Sequence, residues 1–285
     1  AVYWPIASRI RSPTDPIDRL CRISLTETLM KTLFYVYRFV GTTLFWIFFG
    51  LVGLLYGFVV LPILYLLVRN PASRQAIARN LIRSAFVVFV WVARNMRLIR
   101  CDITGMEHWD PESSQLLLAN HLTLIDVVIL LSLFRQVDCV VKAAVTRNPV
   151  LKVSAGTANY ISNADPDKLL NCCVERLQSG SSLLLFPQGT RGKRGEPLKF
   201  RLGAAEIALR AGATIVPIVI DCDPQMLAKN VPWYRIPPAQ PYFRIRLLPP
   251  VQVDELVPEA VGPRRARHVL NEELVKKFED ELDWV

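Results

Sequence analysis

Apolar and polar positions fall into two regimes along the chain. From Phe39 to Val68 there are 30 consecutive residues without a charge. As one helix that run is about 45 Å long, against about 30 Å of bilayer hydrocarbon. It is too long for one upright span and too short for two. Gly50, Gly53, Gly57 and Pro62 punctuate it. Residues 71–98 then carry Ile77, Leu81, Ala85, Val88 and Val92 near helical spacing, with Arg74, Arg79, Arg83, Arg94 and Arg97 on the basic side. This pattern predicts a basic amphipathic helix.

Beyond Leu98 the period changes. Short runs rich in Leu, Ile and Val predict strands at 98–103, 115–119, 138–143, 158–162, 182–186, 214–220 and 242–248. Helices are expected between them at 125–134, 166–179 and 203–211, with a charged one at 263–282. Alternating strands and helices imply an α/β fold, a largely parallel or mixed sheet flanked by helices. The Pro-rich stretch 232–250 reads as a loop and an interrupted edge strand. The expected organisation is a basic segment at 1–38, a membrane-embedded helical segment at 39–69, a basic amphipathic helix at 70–97 and one α/β domain at 98–285.

Charge sharpens the membrane reading. Residues 1–100 hold 13 Lys/Arg against 3 Asp/Glu, whereas the other 185 residues are almost neutral. Arg9, Arg11, Arg19, Arg22, Lys31 and Arg38 precede the apolar run, and Arg69, Arg74, Arg79 and Arg83 follow it. Positive charge marks the cytoplasmic side, so basic flanks at both ends suit a re-entrant hairpin; a tilted single span stays open. A nucleic-acid function is not indicated, because the basic residues bracket an apolar run. The six cysteines show no metal-ligand spacing and read as reduced thiols packed as small hydrophobes.

Two polar clusters carry candidate chemistry. His121 and Asp126 follow the apolar run Leu116–Ala119, where active groups of α/β sheets gather. On a continuous helix, residues five apart lie about 140° from each other. The two can meet only with His121 in a turn and Asp126 in the first helical turn. Asp126 would then fix one ring nitrogen and leave the other to take a proton from a hydroxyl. The alternative is a carboxylate that merely favours a helix N-terminus. The second cluster, Phe186–Arg194, follows another short strand. Gly189, Gly192 and Gly195 allow close backbone approach, Thr190 offers a donor, and Arg191, Lys193 and Arg194 offer charge suited to phosphate. It lacks the spacing of a Walker A loop, and the sequence has no GxSxG, HExxH or GxGxxG.

Together the clusters resemble the glycerolipid acyltransferases typified by 1-acylglycerol-3-phosphate (lysophosphatidic acid) acyltransferase. The Asn-His-x4-Asp hallmark matches Asn120, His121 and Asp126. The Phe-Pro-Glu-Gly-Thr-Arg block is similar to Phe186–Arg191, the Phe-Lys-x-Gly-Ala block to Phe200, Arg201, Gly203 and Ala204, and Val-Pro-Ile to Val216, Pro217 and Ile218. The resemblance implies a membrane-bound enzyme of phospholipid biosynthesis, at the cytoplasmic face of the inner membrane, moving an acyl group from acyl-CoA or acyl carrier protein to a lysolipid without metal or cofactor. It implies His121 as general base oriented by Asp126. It assigns Asn120, Thr123 and Pro217 to positioning, and Gln188, Gly189, Thr190, Arg191, Arg201 and Asn163 to the acceptor. Gln188 stands where the family has Glu. Tyr160–Asn163 stands where it has Phe-Ile-Asp-Arg, so Asn163 replaces the family's Arg. Both departures bear on the acceptor. A different acceptor, or a non-catalytic lipid-binding relative, stays open.

Overall fold

The computed structural model describes residues 16–142, 156–258 and 261–282, with side chains from Glu27 onward. Arg9 and Arg11, and the side chains of Arg19 and Arg22, lie outside the described residues. Helix α1 (Pro16–Leu55) runs through Gly50 and Gly53 unbroken. A single π turn (Tyr56–Val60) joins it to α2 (Leu61–Leu67), whose second residue is Pro62. Proline removes one helical N–H and pushes on the turn before it, and a π turn accommodates both. The chain reverses instead at Val68–Asn70. Asn70 caps α3 (Pro71–Asn95), its Oδ1 accepting from the N–H groups of Ala72 at 2.9 Å and Ser73 at 3.2 Å. An Asn-Pro start outweighs isolated glycines as punctuation, because it both ends and begins a helix. The stretch expected to fold back on itself is thus one arm, and α3 is the other.

Glu27–Leu67 and Pro71–Asn95 are each long and apolar enough to cross a membrane. The arms meet through an aromatic cluster: Phe45, Phe48 and Phe49 surround Phe89 at centroid separations of 6.2, 5.3 and 4.6 Å. The Tyr56 hydroxyl donates to Leu81 O at 3.0 Å. Away from that seam Leu33, Leu44, Ile47, Leu51, Phe58, Leu66 and Trp91 are exposed.

Among the described residues the α/β region holds seven strands: β1 (Arg100–Thr104), β2 (Gln115–Ala119), β3 (Asp138–Val141), β4 (Ile161–Ser162), β5 (Leu183–Leu185), β6 (Thr214–Asp223) and β7 (Tyr242–Leu247). Their order is β1-β7-β6-β2-β5-β3-β4, parallel throughout except for β6 against β7. The strand expected at an edge, β7, is therefore internal. The prolines flank it at Pro241 and Pro249 rather than falling inside 242–247, so no ladder N–H is missing. Side chains alternate across the sheet. Leu117 and Ala119 face a core shared with α3 and α4 (Asp126–Leu133), whereas Leu116 and Leu118 face one shared with α5 (Pro166–Gln178), α6 (Leu202–Ala211) and α8 (Pro263–Glu279). Burial on both faces explains why β2 reads as an unbroken apolar run. A short helix, α7 (Val253–Leu256), precedes α8.

Arg79 does not sit on a solvated face of α3. It is buried and ion-paired to Asp138, whose side chain is fully buried, and its Nε donates to Ala158 O at 3.0 Å. Burial pushes the Asp138 carboxyl up, against the charges of Arg79 and Arg176. A paired charge under the sheet edge ties the second arm to the α/β region, where an unpaired one would be costly.

Candidate active site

β2 ends at Ala119, and the next six residues, Asn120 to Ile125, form the turn before α4. Asn120 is fully buried and clasps β6: its Nδ2 donates to Ile220 O at 2.8 Å and its Oδ1 accepts from Ile220 N at 2.6 Å. That clasp sets where the turn leaves the sheet. Asp126, at the first turn of α4, has no exposed side-chain surface. Its Oδ2 takes three donors at 2.8 Å, namely His121 Nδ1 and the N–H groups of Leu122 and Thr123, and its Oδ1 accepts from the Thr123 hydroxyl. A carboxylate so surrounded is held in one orientation. It keeps the imidazole proton on Nδ1 and leaves Nε2 without a partner among the described residues. The His121 ring tilts over Phe186 with centroids 4.5 Å apart, and its side chain keeps 14% exposure.

The Phe186–Arg194 loop closes onto the same turn. Gln188 Oε1 accepts from His121 N at 2.6 Å, and Gly192 N donates to His121 O at 2.7 Å. A Cβ on Gly192 would lie 2.6 Å from Gln188 Nε2, and one on Gly189 would lie 2.9 Å from Arg201 Nε, so both glycines are required by close approach. Arg201 donates its own N–H to Pro187 O at 2.9 Å. Arg191 Nη1 donates to Leu227 O at 2.6 Å and Ala228 O at 3.3 Å, fixing the loop after β6.

His121, Gly189, Arg191 and Asn163 line one cavity of about 440 Å³. Lys142 lines it as well, and the rest of its walls are largely apolar: Phe45, Trp46, Phe49, Ile82 and Phe86 from the helical arms, Val127, Val128 and Leu131 from α4, and Val140, Tyr160 and Leu185 from the sheet side. Burial drives the Tyr160 phenol up. Thr123 lies behind His121 on Asp126. Pro217 is buried in β6 opposite Leu118, two residues before Asn120, and does not line the cavity. Gln188 braces the His121 main chain.

One residue outside every motif belongs to this arrangement. Gln225 Nε2 donates to Leu122 O at 2.9 Å and Gly192 O at 3.0 Å, while its Oε1 accepts from Arg194 N at 3.0 Å. It joins the His121 turn to the glycine loop. No local pattern around Gln225 marks it, because its partners lie 31 to 103 residues away. Beside it, Asp221 receives Arg194 Nε at 2.9 Å and also Arg244. Burial pushes the Asp221 carboxyl up, but those two hydrogen bonds outweigh it and hold the group below the usual carboxylate range. The buried thiols of Cys101, Cys139 and Cys173 are pushed up to about 11, 12 and 12 by desolvation.

The site is thus a His–Asp pair at the carboxyl end of a central strand of a mixed sheet, facing a largely apolar cavity. Residues 100–221 match the family model described as Acyltransferase. The chain is similar to 1-acyl-sn-glycerol-3-phosphate acyltransferase LPAT1, chloroplastic, of Arabidopsis thaliana, with 26% identity over 47% of this chain and 40% of that one. It is similar to 1-acyl-sn-glycerol-3-phosphate acyltransferase alpha of Homo sapiens, with 27% identity over 60% and 62% of the two chains. It thus spans about two to three fifths of the length of these curated relatives. In fold it is similar to the 1-acyl-sn-glycerophosphate (LPA) acyltransferase PlsC of Thermotoga maritima, with a TM-score of 0.58, 19% identity, and coverage of 88% of this chain and 97% of that one.

Proposed function

We propose that this protein is a membrane-bound O-acyltransferase that esterifies the free hydroxyl of a lysophospholipid such as lysophosphatidic acid, with acyl-CoA or acyl carrier protein as donor. The observation that carries this reading is the His121 Nδ1–Asp126 Oδ2 bond of 2.8 Å on a ring that lines an apolar cavity. In the reaction, Nε2 of His121 takes the proton of the acceptor hydroxyl as its oxygen attacks the thioester carbonyl carbon. The tetrahedral intermediate collapses with cleavage of the C–S bond, and the imidazolium returns the proton to the departing sulfur. Asp126 stabilises the imidazolium between these steps. A thioester is an activated donor, so alignment of donor and acceptor plus a base suffices, and the scheme uses neither metal nor cofactor.

The apolar walls accept an acyl chain. The helical arms lie in the cytoplasmic leaflet as a re-entrant hairpin, with their exposed apolar side chains in lipid and the exposed Lys31 and Arg69 at head-group level. In this reading residues 39–97 form the lipid-facing unit and 98–285 the catalytic one. Asn120, Thr123 and Gln188 position the pair and its turn, while Gly189, Arg191 and Asn163 line the cavity and face the acceptor with Thr190 and Arg201 beside them.

The test is transfer of labelled acyl groups to lysophosphatidic acid in vesicles. Wild-type protein is expected to form the diacyl product, and His121→Ala to lose about 10²–10⁴-fold or more, the contribution of a general base. Full activity in the variant overturns the assignment. A second reading, the same chemistry on an acceptor without glycerol phosphate, is favoured by Asn163 in place of an arginine. Poor turnover of lysophosphatidic acid beside rapid turnover of another lysolipid would select it.

A further inference from the structure

Charges elsewhere near the site are balanced. Arg194 and Arg244 pair with Asp221, and Lys193 lies 3.4 Å from Glu196. The cavity mouth is different. Lys142 and Arg191 line it, Arg201 lies against Gly189 on the same rim, and Lys229 follows the two residues whose carbonyls Arg191 holds. Among the described residues none of these four cations is ion-paired to a carboxylate. Residues 143–155, which follow Lys142 in the chain, contain no Asp or Glu. Burial, then the positive charges of Arg191, Lys229 and Arg201, holds the Lys142 ammonium below its ordinary range.

The loop that bears Lys229 is built, not merely adjacent. Arg191 fixes Leu227 and Ala228, Val231 N closes a turn onto Ala228 O at 3.2 Å, and Leu227 and Asn230 adopt positive φ of 48° and 62°. Non-glycine residues take that conformation only where surrounding contacts impose it. Arg191, which lines the cavity, therefore also holds the loop on which the exposed Lys229 sits.

We propose that Lys229, beside Lys142 and Arg201, binds a substrate phosphate at the cavity mouth and supplies the positive charge that Asn163 does not. Converging unpaired cations are stabilised by a multiply charged anion. The phosphate belongs either to the acceptor head group or to the pantetheine arm of the donor. This inference rests on the acyl-transfer reading for its substrates, but not for its measurement.

The full chain carrying His121→Ala is titrated calorimetrically with sn-glycerol 3-phosphate and, separately, with 4′-phosphopantetheine. Lys229→Gln is then added to the same protein. The expected result is weakening of one probe by about tenfold, the scale of one charge-assisted hydrogen bond, with recovery in Lys229→Arg. Weakening of the first probe assigns the phosphate to the acceptor, and of the second to the donor; both outcomes support the site. In the active enzyme, KM for the same substrate rises about as much while kcat changes little. Unchanged binding of both probes overturns the site. Lys229-dependent binding in a chain that transfers no acyl group keeps the site and rejects the acyl-transfer reading.

Discussion

The side-chain oxygen of Gln188 accepts a hydrogen bond from the main-chain N–H of His121 at 2.6 Å. A carboxylate can fill the same role, but it adds a negative charge beside the imidazole. Gln188→Glu is therefore expected to fold normally and keep the His121 turn. A nearby negative charge favours the imidazolium, so a base that must be neutral requires a higher pH. The acid limb of the kcat/KM profile should move to higher pH than in the wild type. An identical limb would mean that Gln188 does not feel the titration of His121.

Asp126→Asn keeps a carbonyl for the three donors on Oδ2 while removing the charge that stabilises the imidazolium. The variant should retain its circular-dichroism spectrum and thermal midpoint nearly unchanged. Its kcat should fall by about 10²–10⁴-fold. Comparable loss of structure and activity would instead make Asp126 a folding residue only.

Gln225→Ala leaves Leu122 O and Gly192 O without their donor and frees Arg194 N. Since Gln225 acts through the turn and not on substrate, kcat is expected to drop by about tenfold with no movement of the acid limb. A shifted limb would place Gln225 in direct contact with the proton transfer.

Arg79 and Asp138 give a stability prediction. Arg79→Met leaves the buried Asp138 carboxylate with only the Arg176 guanidinium, 3.8 Å away, and should cost about 3 kcal/mol, read as a lower thermal midpoint in detergent. Adding Asp138→Leu should recover most of that loss, because a matched apolar pair needs no desolvation of charge. No recovery would show that Arg79 contributes mainly through its bond to Ala158 O.

Asp221 predicts an acid limb of stability. Its folded pKa is depressed, so its contribution is full above the unfolded value near ~3.9 and is lost as pH falls through the folded value. Asp221→Asn should flatten the dependence of the thermal midpoint below about pH 4 and lower stability at neutral pH by roughly 1–2 kcal/mol, allowing for the partial exposure of Arg244.

The sequence makes β2 and β6 legible because strands buried on both faces read as continuous apolar runs. It makes the His121–Asp126 pair legible because a spacing of five admits contact only across a strand-to-helix turn. Three features elude it for one physical reason, that their partners are distant in the chain. Gln225 and Arg79 are ordinary polar residues until the fold brings Leu122 and Asp138 to them. The internal place of β7 depends on which neighbours pair with it, and flanking prolines report only on its ends. The reversal at Val68–Asn70 carries the Asn-Pro signature of a helix start, whereas Gly50 and Gly53 lie within α1 because an isolated glycine weakens a helix without ending it.

The place of β1 in the sheet sets an order of assembly. Its one neighbour is β7, which lies about 140 residues later in the chain. At synthesis rates of roughly 5–20 residues per second, that partner emerges about 7–28 s after β1. Through that interval the helical arms are already made, and the segment that joins them to the sheet has nothing to pair with. The arms are therefore complete before β1 can take its place, because the pairing seen with β7 becomes possible only once the chain is made through residue 247.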